Sequence, residues 1–281
     1  MDPIIISVAP NGARKTKENH PNIPLTIDEI AADAKQCMEA GAVFLHMHIR
    51  DKNLKHTLDV AIYRAATKKV RAAIGDKMIL QVTSESVGIY KPHEQMQMVR
   101  DLSPESVSLA IREIISTPAH EETAKEFLSW VMAEKIIPQY ILFSAEEVAY
   151  FADLRKRGIV PGEKVFVLFA LGKKTANTSL ASSYAQPRDL DPFLECFGDG
   201  VVNLVDTIWS VAAFGGNENV CVKKAVECGG HPRVGFENNH LMADGSVAEN
   251  NAALVEQFKK SISSLRRSIA SVEEARRLLT S

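Results

Sequence analysis

The sequence predicts a single α/β domain over residues 1–281, a closed parallel (β/α)8 barrel with an extra C-terminal helix. Three observations carry this expectation. Short apolar, β-rich runs alternate with longer helical patterns eight times from one end of the chain to the other. No Pro-, Gly- or Ser-rich linker and no shift of composition divides the chain. A length of 281 residues suits one large barrel as well as two smaller domains. Eight strands also fit an open doubly wound sheet. However, the segment after the first strand, Ala9-Pro10-Asn11-Gly12-Ala13-Arg14, has neither a dinucleotide-binding glycine fingerprint nor a P-loop.

The elements follow in order. The first strand is Ile4 to Ala9. Thr26 with Glu29 has the spacing of a capping box, so a helix starts there, and Gly41 after Ala40 ends it. The second strand is Ala42 to Ile49, followed by a helix from Asp59 to Ile74 that stops at Gly75. The third strand, Met78 to Thr83, leads to a helix near His93 to Arg100, and a short fourth strand spans Ser106 to Ala110. A helix from Ala119 to Lys135 precedes the fifth strand, Ile137 to Phe143; another, Ala145 to Arg157, is stopped by Gly158. The sixth strand, Lys164 to Ala170, is apolar along nearly its whole length, as a strand buried on both faces requires. A helix near Leu190 to Phe197, a strand from Asn203 to Ala212, a helix near Asn217 to Glu227 and a strand from Arg233 to Glu237 complete the repeat. The amphipathic tail, Val247 to Ser263 and Val272 to Leu279, is helical.

Composition narrows the function classes. Lys and Arg total 33 and Asp and Glu 35, a formal net charge of −2, which gives no electrostatic reason to expect nucleic acid as partner. The longest apolar stretches, Val165 to Leu171 and Ile208 to Phe214, fall far short of the roughly 20 residues that span a bilayer, so no membrane association is expected. Met-Asp-Pro at the start places no basic segment before the first apolar run, so a secretory leader is not expected. Cys37, Cys196, Cys221 and Cys228 form no C-x-x-C pair; reduced thiols in a cytoplasmic protein are expected.

Two residue patterns carry chemistry. His46 and His48 stand two apart in the second strand, so both imidazoles point to one face, near the C-terminal strand ends where barrel active sites lie. Such a pair either shares a metal ion or fills barrel layers through ordinary hydrogen bonds. A third ligand has to come from another strand end. Arg233, Gly235 and Glu237 share one face of the last strand, with Glu237 at its end. Glu237 is either the carboxylate of a two-His-one-Glu site or the partner of a structural Arg233–Glu237 pair. His240, beyond the strand, is a weaker metal candidate.

An ordered set of short motifs resembles the beta-keto acid cleavage enzyme family, whose founding activity is 3-keto-5-aminohexanoate cleavage. The set comprises Asn11-Gly12-Ala13; Pro24-Leu25-Thr26 with Glu29-Ile30-Ala31; Ala40-Gly41-Ala42; and His46-Met47-His48-Ile49-Arg50-Asp51. It continues through Ser108-Leu109, Gly229-Gly230-His231, Arg233-Val234-Gly235 with Glu237, Asn251-Ala252 and Glu274-Ala275-Arg276. The resemblance covers nearly the whole chain. It implies a TIM barrel, a homodimer or homotetramer, and a divalent metal, usually Zn2+, with other divalent transition metals possible. It also implies acetyl-CoA as cosubstrate, so that a β-keto acid becomes acetoacetate and a new acyl-CoA by Claisen-type exchange. By motif match, His46, His48 and Glu237 look like the metal ligands, and Arg233 like the basic partner of the catalytic dyad.

The departures matter equally. The family's Asp base is Asn238 here, and an amide has no usable basicity near neutral pH. Ser-Thr-Gly-Gly becomes Thr83-Ser84-Glu85-Ser86; Thr83 keeps a hydroxyl, and Glu85 is a candidate replacement base. The Thr-rich segment after Ser108-Leu109 becomes Ala110-Ile111-Arg112-Glu113, and Ser108 is expected to touch substrate. In the fifth strand, Pro138-Gln139-Tyr140-Ile141-Leu142-Phe143-Ser144 lacks three carboxylates, and a Gly pair is replaced by Lys173-Lys174, of which Lys173 is a candidate for CoA phosphates. Arg14 replaces a Glu that contacts an amino-bearing substrate, which favours an anionic tail. Two other functions stay open: a CoA-independent retro-aldol or retro-Claisen lyase, and a metal-binding relative without catalysis.

Overall fold

The computed structural model describes residues 2–172, 184–198 and 206–280. Eight strands close into one barrel: β1 (Ser7–Val8), β2 (Phe44–Met47), β3 (Ile79–Thr83), β4 (Ser106–Ala110), β5 (Ile137–Leu142), β6 (Val165–Leu171), β7 (Thr207–Ala213) and β8 (His231–Val234). Every strand pairs in parallel with the next, and β8 returns to β1 with Ser7 opposite Arg233. The open-sheet alternative is therefore excluded. Around the barrel lie α1 (Ile27–Ala40), α2 (Val60–Ile74), α3 (Pro92–Leu102), α4 (Ile111–Ile114), α5 (Glu121–Ala133), α6 (Ala145–Lys156), α7 (Asp191–Gly198), α8 (Glu218–Glu227), α9 (Asn251–Ser261) and α10 (Val272–Thr280). No helix among the described residues is long and apolar enough to cross a membrane.

Local chemistry explains the helix starts. The Thr26 hydroxyl accepts from Glu29 N–H while the Glu29 carboxylate accepts from Thr26 N–H, the reciprocal pair expected at α1. Asp59 caps α2 and Asn250 caps α9 in the simpler way, each accepting from the backbone three residues on. The one-turn α4 is an addition the sequence pattern gives no warning of; four residues are too few to show a period.

The barrel interior is layered. Ile5, Phe44, Ile79, Ile137 and Phe166 plug its N-terminal end, and α10 lays Val272 and Ala275 over the plug. Two residues further along the same strands the interior turns polar, with His46, Gln81 and Gln139 joined by Ser106 and Ser210, all buried. One more step places Thr83, Ser108 and Ile141 at the open end. The strand period of two thus makes an apolar floor, a polar middle and a chemically equipped mouth.

Several strands are shorter than expected. β1 reduces to two residues because Ile4 pairs instead with Ile269 at the C-terminal end of the chain. β7 begins at Thr207, and the expected start at residue 203 lies outside the described residues. β8 ends at Val234 because Gly235, with φ +129°, turns the chain against β1, and a Cβ there would lie 2.5 Å from the Ala9 carbonyl oxygen. Glu237 is therefore carried by a turn and not by the strand itself. Gly235→Ala is expected to destabilise the fold by roughly 1–3 kcal/mol for the backbone conformation alone, with the clash adding to it. Thermal unfolding checks this, and an unchanged Tm contradicts it.

Candidate metal and active site

His46 lies in β2 and His48 just past its end, yet their rings converge: the two Nε2 atoms are 3.1 Å apart. The turn after β8 brings Glu237 Oε2 to 3.4 Å from His46 Nε2 and 3.5 Å from His48 Nε2. Among the described residues these three form a group whose ligand atoms lie within 4.8 Å of one another. All three residues are well shielded from solvent. His240 stands apart from the group, its ring 6.1 Å from that of His20.

The first βα-loop builds the frame. Asn11 Nδ2 donates to the carbonyls of Pro24 and His48 (both 2.9 Å), and its Oδ1 accepts from His48 N–H, so one amide clamps the backbone of a ligand residue. Gly12, at φ +64°, passes so close to Glu237 that a Cβ would meet Glu237 Cγ at 2.7 Å. Arg50 donates to the Gly12 and Lys15 carbonyls and holds the loop in place. Lys15 in turn donates to the Phe236 carbonyl at 2.6 Å; burial lowers its pKa, with Glu218 and Glu237 opposing.

The hydrogen-bond directions fix the tautomers. Gln81 donates from Nε2 to Ser106 Oγ and to Gln139 Oε1, so its Oε1 is left to accept from His46 Nδ1–H at 2.7 Å. Gln139 continues the line by donating to Ser210 Oγ, which donates to the Val167 carbonyl. On the other side, His56 donates from Nε2 to the Glu85 carbonyl, and burial pushes its pKa down to about 4. A neutral His56 then accepts at Nδ1 from His48 Nδ1–H, 3.5 Å away. Both ligand histidines thus spend their protons outward and turn Nε2 lone pairs inward.

This arrangement tests whether a cation fits. Two imidazole lone pairs and a carboxylate oxygen face one another, and Glu237 Oε2 is buried without a hydrogen-bond partner. Burial works to raise the Glu237 carboxyl, but Arg233 outweighs it and holds it well below the usual carboxylate range. Burial likewise lowers His46, keeping it neutral, with Glu237 opposing. Converging electron-rich atoms with no proton between them are what a divalent ion requires, and two His with one carboxylate leave an open coordination position. The residues fit the group. Gln81→Leu is expected to weaken metal binding about 10–100-fold, the usual effect of removing such an outer partner. Titration against a competing chelator reads it, and an unchanged affinity contradicts the tautomer argument.

A cavity over this centre is lined by His46, His48, Thr83, Glu85, Ser108, Arg233 and Glu237. Ala110, Ile141, Phe143, Leu168, Ala170 and Phe214 add apolar surface, and Glu113 a further carboxyl group. Ser108 Oγ donates to Thr83 Oγ1 (3.3 Å), so the two hydroxyls sit side by side. Arg233 donates from Nη2 to Glu237 Oε1 (3.1 Å) and to Asn238 Oδ1 (2.9 Å). Arg14, exposed at the mouth, is bound to Glu85 at 2.9 Å, and Glu85 Oε2 lies 4.0 Å from His48 Nε2.

The structure therefore gathers nine of the ten expected site residues around one centre. Lys173 lies outside the described residues. Asn238 is the odd member of the nine: it is buried, and its amide is committed to Arg233 and Glu218. Sequence reasoning missed Asn11, His56, Gln81, Gln139 and Glu218. A glutamine in the middle of an otherwise apolar interior strand was the readable sign for Gln81, and an acid directly after the seventh strand was the sign for Glu218.

Residues 3–280 match the profile of the beta-keto acid cleavage enzyme family. The chain belongs to this family. It is 30% identical over 287 residues to a 3-keto-5-aminohexanoate cleavage enzyme of Fusobacterium nucleatum, covering 100% of this chain and 98% of the relative. It is 25% identical to a 3-oxoadipate:acetyl-CoA acetyltransferase of Cupriavidus necator, covering 99% and 94%. The fold resembles that of the apo structure of ObcA, with a TM-score of 0.74 and 15% identity, over 92% of this chain and 65% of that longer one. The barrel and the family resemblance read from the motifs are thus both established.

Proposed function

We propose that this enzyme converts a β-keto acid and acetyl-CoA into acetoacetate and a new acyl-CoA, using a divalent metal held by His46, His48 and Glu237. The observation that carries the reading is the converging, proton-free donor set at the C-terminal mouth of the barrel. Bound there, the ion, zinc by the preference of a two-His-one-carboxylate set, supplies Lewis acidity toward the keto and carboxylate oxygens.

The side chains of the chain itself do the rest. Thr83 and Ser108 present paired hydroxyls to the substrate, and Arg233 offers a fixed positive charge beside Glu237. A base takes the proton from the carbon between keto group and carboxylate, and the carbanion attacks the acetyl-CoA carbonyl, expelling CoA thiolate. The thiolate attacks the original keto carbon, the old carbon–carbon bond breaks, and departing acetoacetate recovers the proton. Asn238 has no proton-accepting capacity, and in this reading Glu85, which lines the cavity with its Oε2 4.0 Å from His48 Nε2, serves as the base.

The Arg14–Glu85 pair links base to substrate: an anionic tail that engages Arg14 displaces Glu85 and frees it to accept the proton. Lys173 serves the CoA phosphates in this reading. The protein works as a cytoplasmic homodimer or homotetramer and binds small molecules only. The test is acetoacetate and acyl-CoA formation by the zinc-loaded protein, with acetyl-CoA and β-keto acids of cationic, neutral and dicarboxylate tail. Turnover that is fastest with the dicarboxylate supports the reading. Faster turnover of the cationic tail removes the Arg14 role, and cleavage without CoA favours a lyase.

A further inference from the structure

Glu218 is a buried carboxylate, 1% exposed, that no step above uses. It opens α8, directly behind the turn that carries Glu237. Its Oε1 accepts from Gly235 N–H (3.1 Å) and from Asn238 Nδ2 (3.2 Å). Asn238 Nδ2 also donates to the Arg233 carbonyl (2.9 Å), and Asn238 Oδ1 accepts from Arg233 Nη2 (2.9 Å). Arg233 Nη2 completes the line at Glu237 Oε1 (3.1 Å). Carboxylate, amide, guanidinium and carboxylate thus form one continuous series, of which Arg233 and Glu237 reach the cavity.

The series has a direction. Arg233 is donor-only, so Asn238 has to face it with oxygen; the amide nitrogen must then find an acceptor on the other side. Glu218 is that acceptor beside the Arg233 carbonyl. Without it, the amide nitrogen keeps only the Arg233 carbonyl, and the amide orientation is held by one residue instead of two. Turning over would set nitrogen against guanidinium, donor against donor, and Arg233 would leave its place beside Glu237. We propose that Glu218 is a positioning residue for the reaction, acting through Asn238 to hold the Arg233 guanidinium in the cavity. This rests on the role of Arg233 in the proposed acyl exchange.

Two variants and the metal-loaded enzyme test it. Glu218→Leu keeps the volume and removes the acceptor; kcat is expected to fall about 10–100-fold, with the keto acid KM within threefold and metal content unchanged. Glu218→Gln should restore kcat to within threefold, because its carbonyl accepts from the same two N–H groups. A Glu218→Leu enzyme with parental kcat overturns the proposal. So does metal lost in step with activity, or a Glu218→Gln enzyme no better than Glu218→Leu. If the parent turns over none of the keto acids, the acyl-exchange reading has failed, and the positioning role is read from nitrogen-15 NMR of Arg233. Slowly exchanging guanidinium protons in the parent and Glu218→Gln but not in Glu218→Leu support it. Identical signals in all three overturn it.

Discussion

Glu237→Gln is expected to abolish measurable acetoacetate formation and to weaken metal binding by at least about 100-fold, beyond the usual cost of losing an outer partner. The change is nearly isosteric, so the effect isolates charge. Glu237 is held ionised, against its burial, by Arg233, and its Oε2 points at both Nε2 atoms. Glutamine removes the only negative charge in the ligand group and leaves Arg233, 3% exposed, without its carboxylate partner. Breaking one side of a buried ion pair typically costs about 3–5 kcal/mol, because the remaining charge stays desolvated. The chain should therefore also lose thermal stability. Metal titration by competition and thermal unfolding read both effects. A variant that binds zinc with parental affinity would show that Glu237 is a structural partner of Arg233 and not a ligand.

Arg233→Lys is expected to lower kcat by about 10²–10³-fold, the scale of losing one preorganised donor at a developing charge, while metal content stays near parental. Arg233 bonds Glu237 and Asn238 from one nitrogen and still lines the cavity with its remaining donors. Its Nε is buried with no hydrogen-bond partner, so the guanidinium is set by Glu237 and Asn238 at Nη2. A lysine ammonium is a single compact point on a flexible stem and cannot reproduce that planar fork. Steady-state kinetics separate the outcomes. A loss confined to the KM of acetyl-CoA would move Arg233 from the reaction to cosubstrate binding.

The barrel was legible because its cause is periodic: strand-like and helical patterns repeat along the whole chain, and capping signals such as Thr26 with Glu29 mark where a helix begins. The metal candidates were legible for a related reason. A strand period of two fixes that His46 and His48 share a face, and barrel geometry fixes that strand ends meet. Short-range pattern does not reveal contacts across the barrel. That Gln81 and Gln139 speak to each other depends on the staggered register between non-adjacent strands. The Arg14–Glu85 pair joins the first and third loops, and its existence changes the meaning of both residues from separate charges to one neutral unit. Glu218 sits at a helix start, where an acid is ordinary, and only the turn at Gly235 brings Asn238 onto it.

Barrel closure has a consequence for how the enzyme is made. Two of the candidate ligands lie in β2 and its edge, whereas the third follows β8, which closes the barrel by pairing with β1. A nascent chain still on the ribosome can expose His46 and His48 but not Glu237, nor the Asn251 whose side chain receives Phe236 N–H and holds that turn. Two imidazoles alone form a poor and unselective trap. An ion held by all three would therefore need the closed barrel, and would act as a latch across the seam between β8 and β1. Whatever loosens that seam should release the metal before the rest of the barrel unfolds.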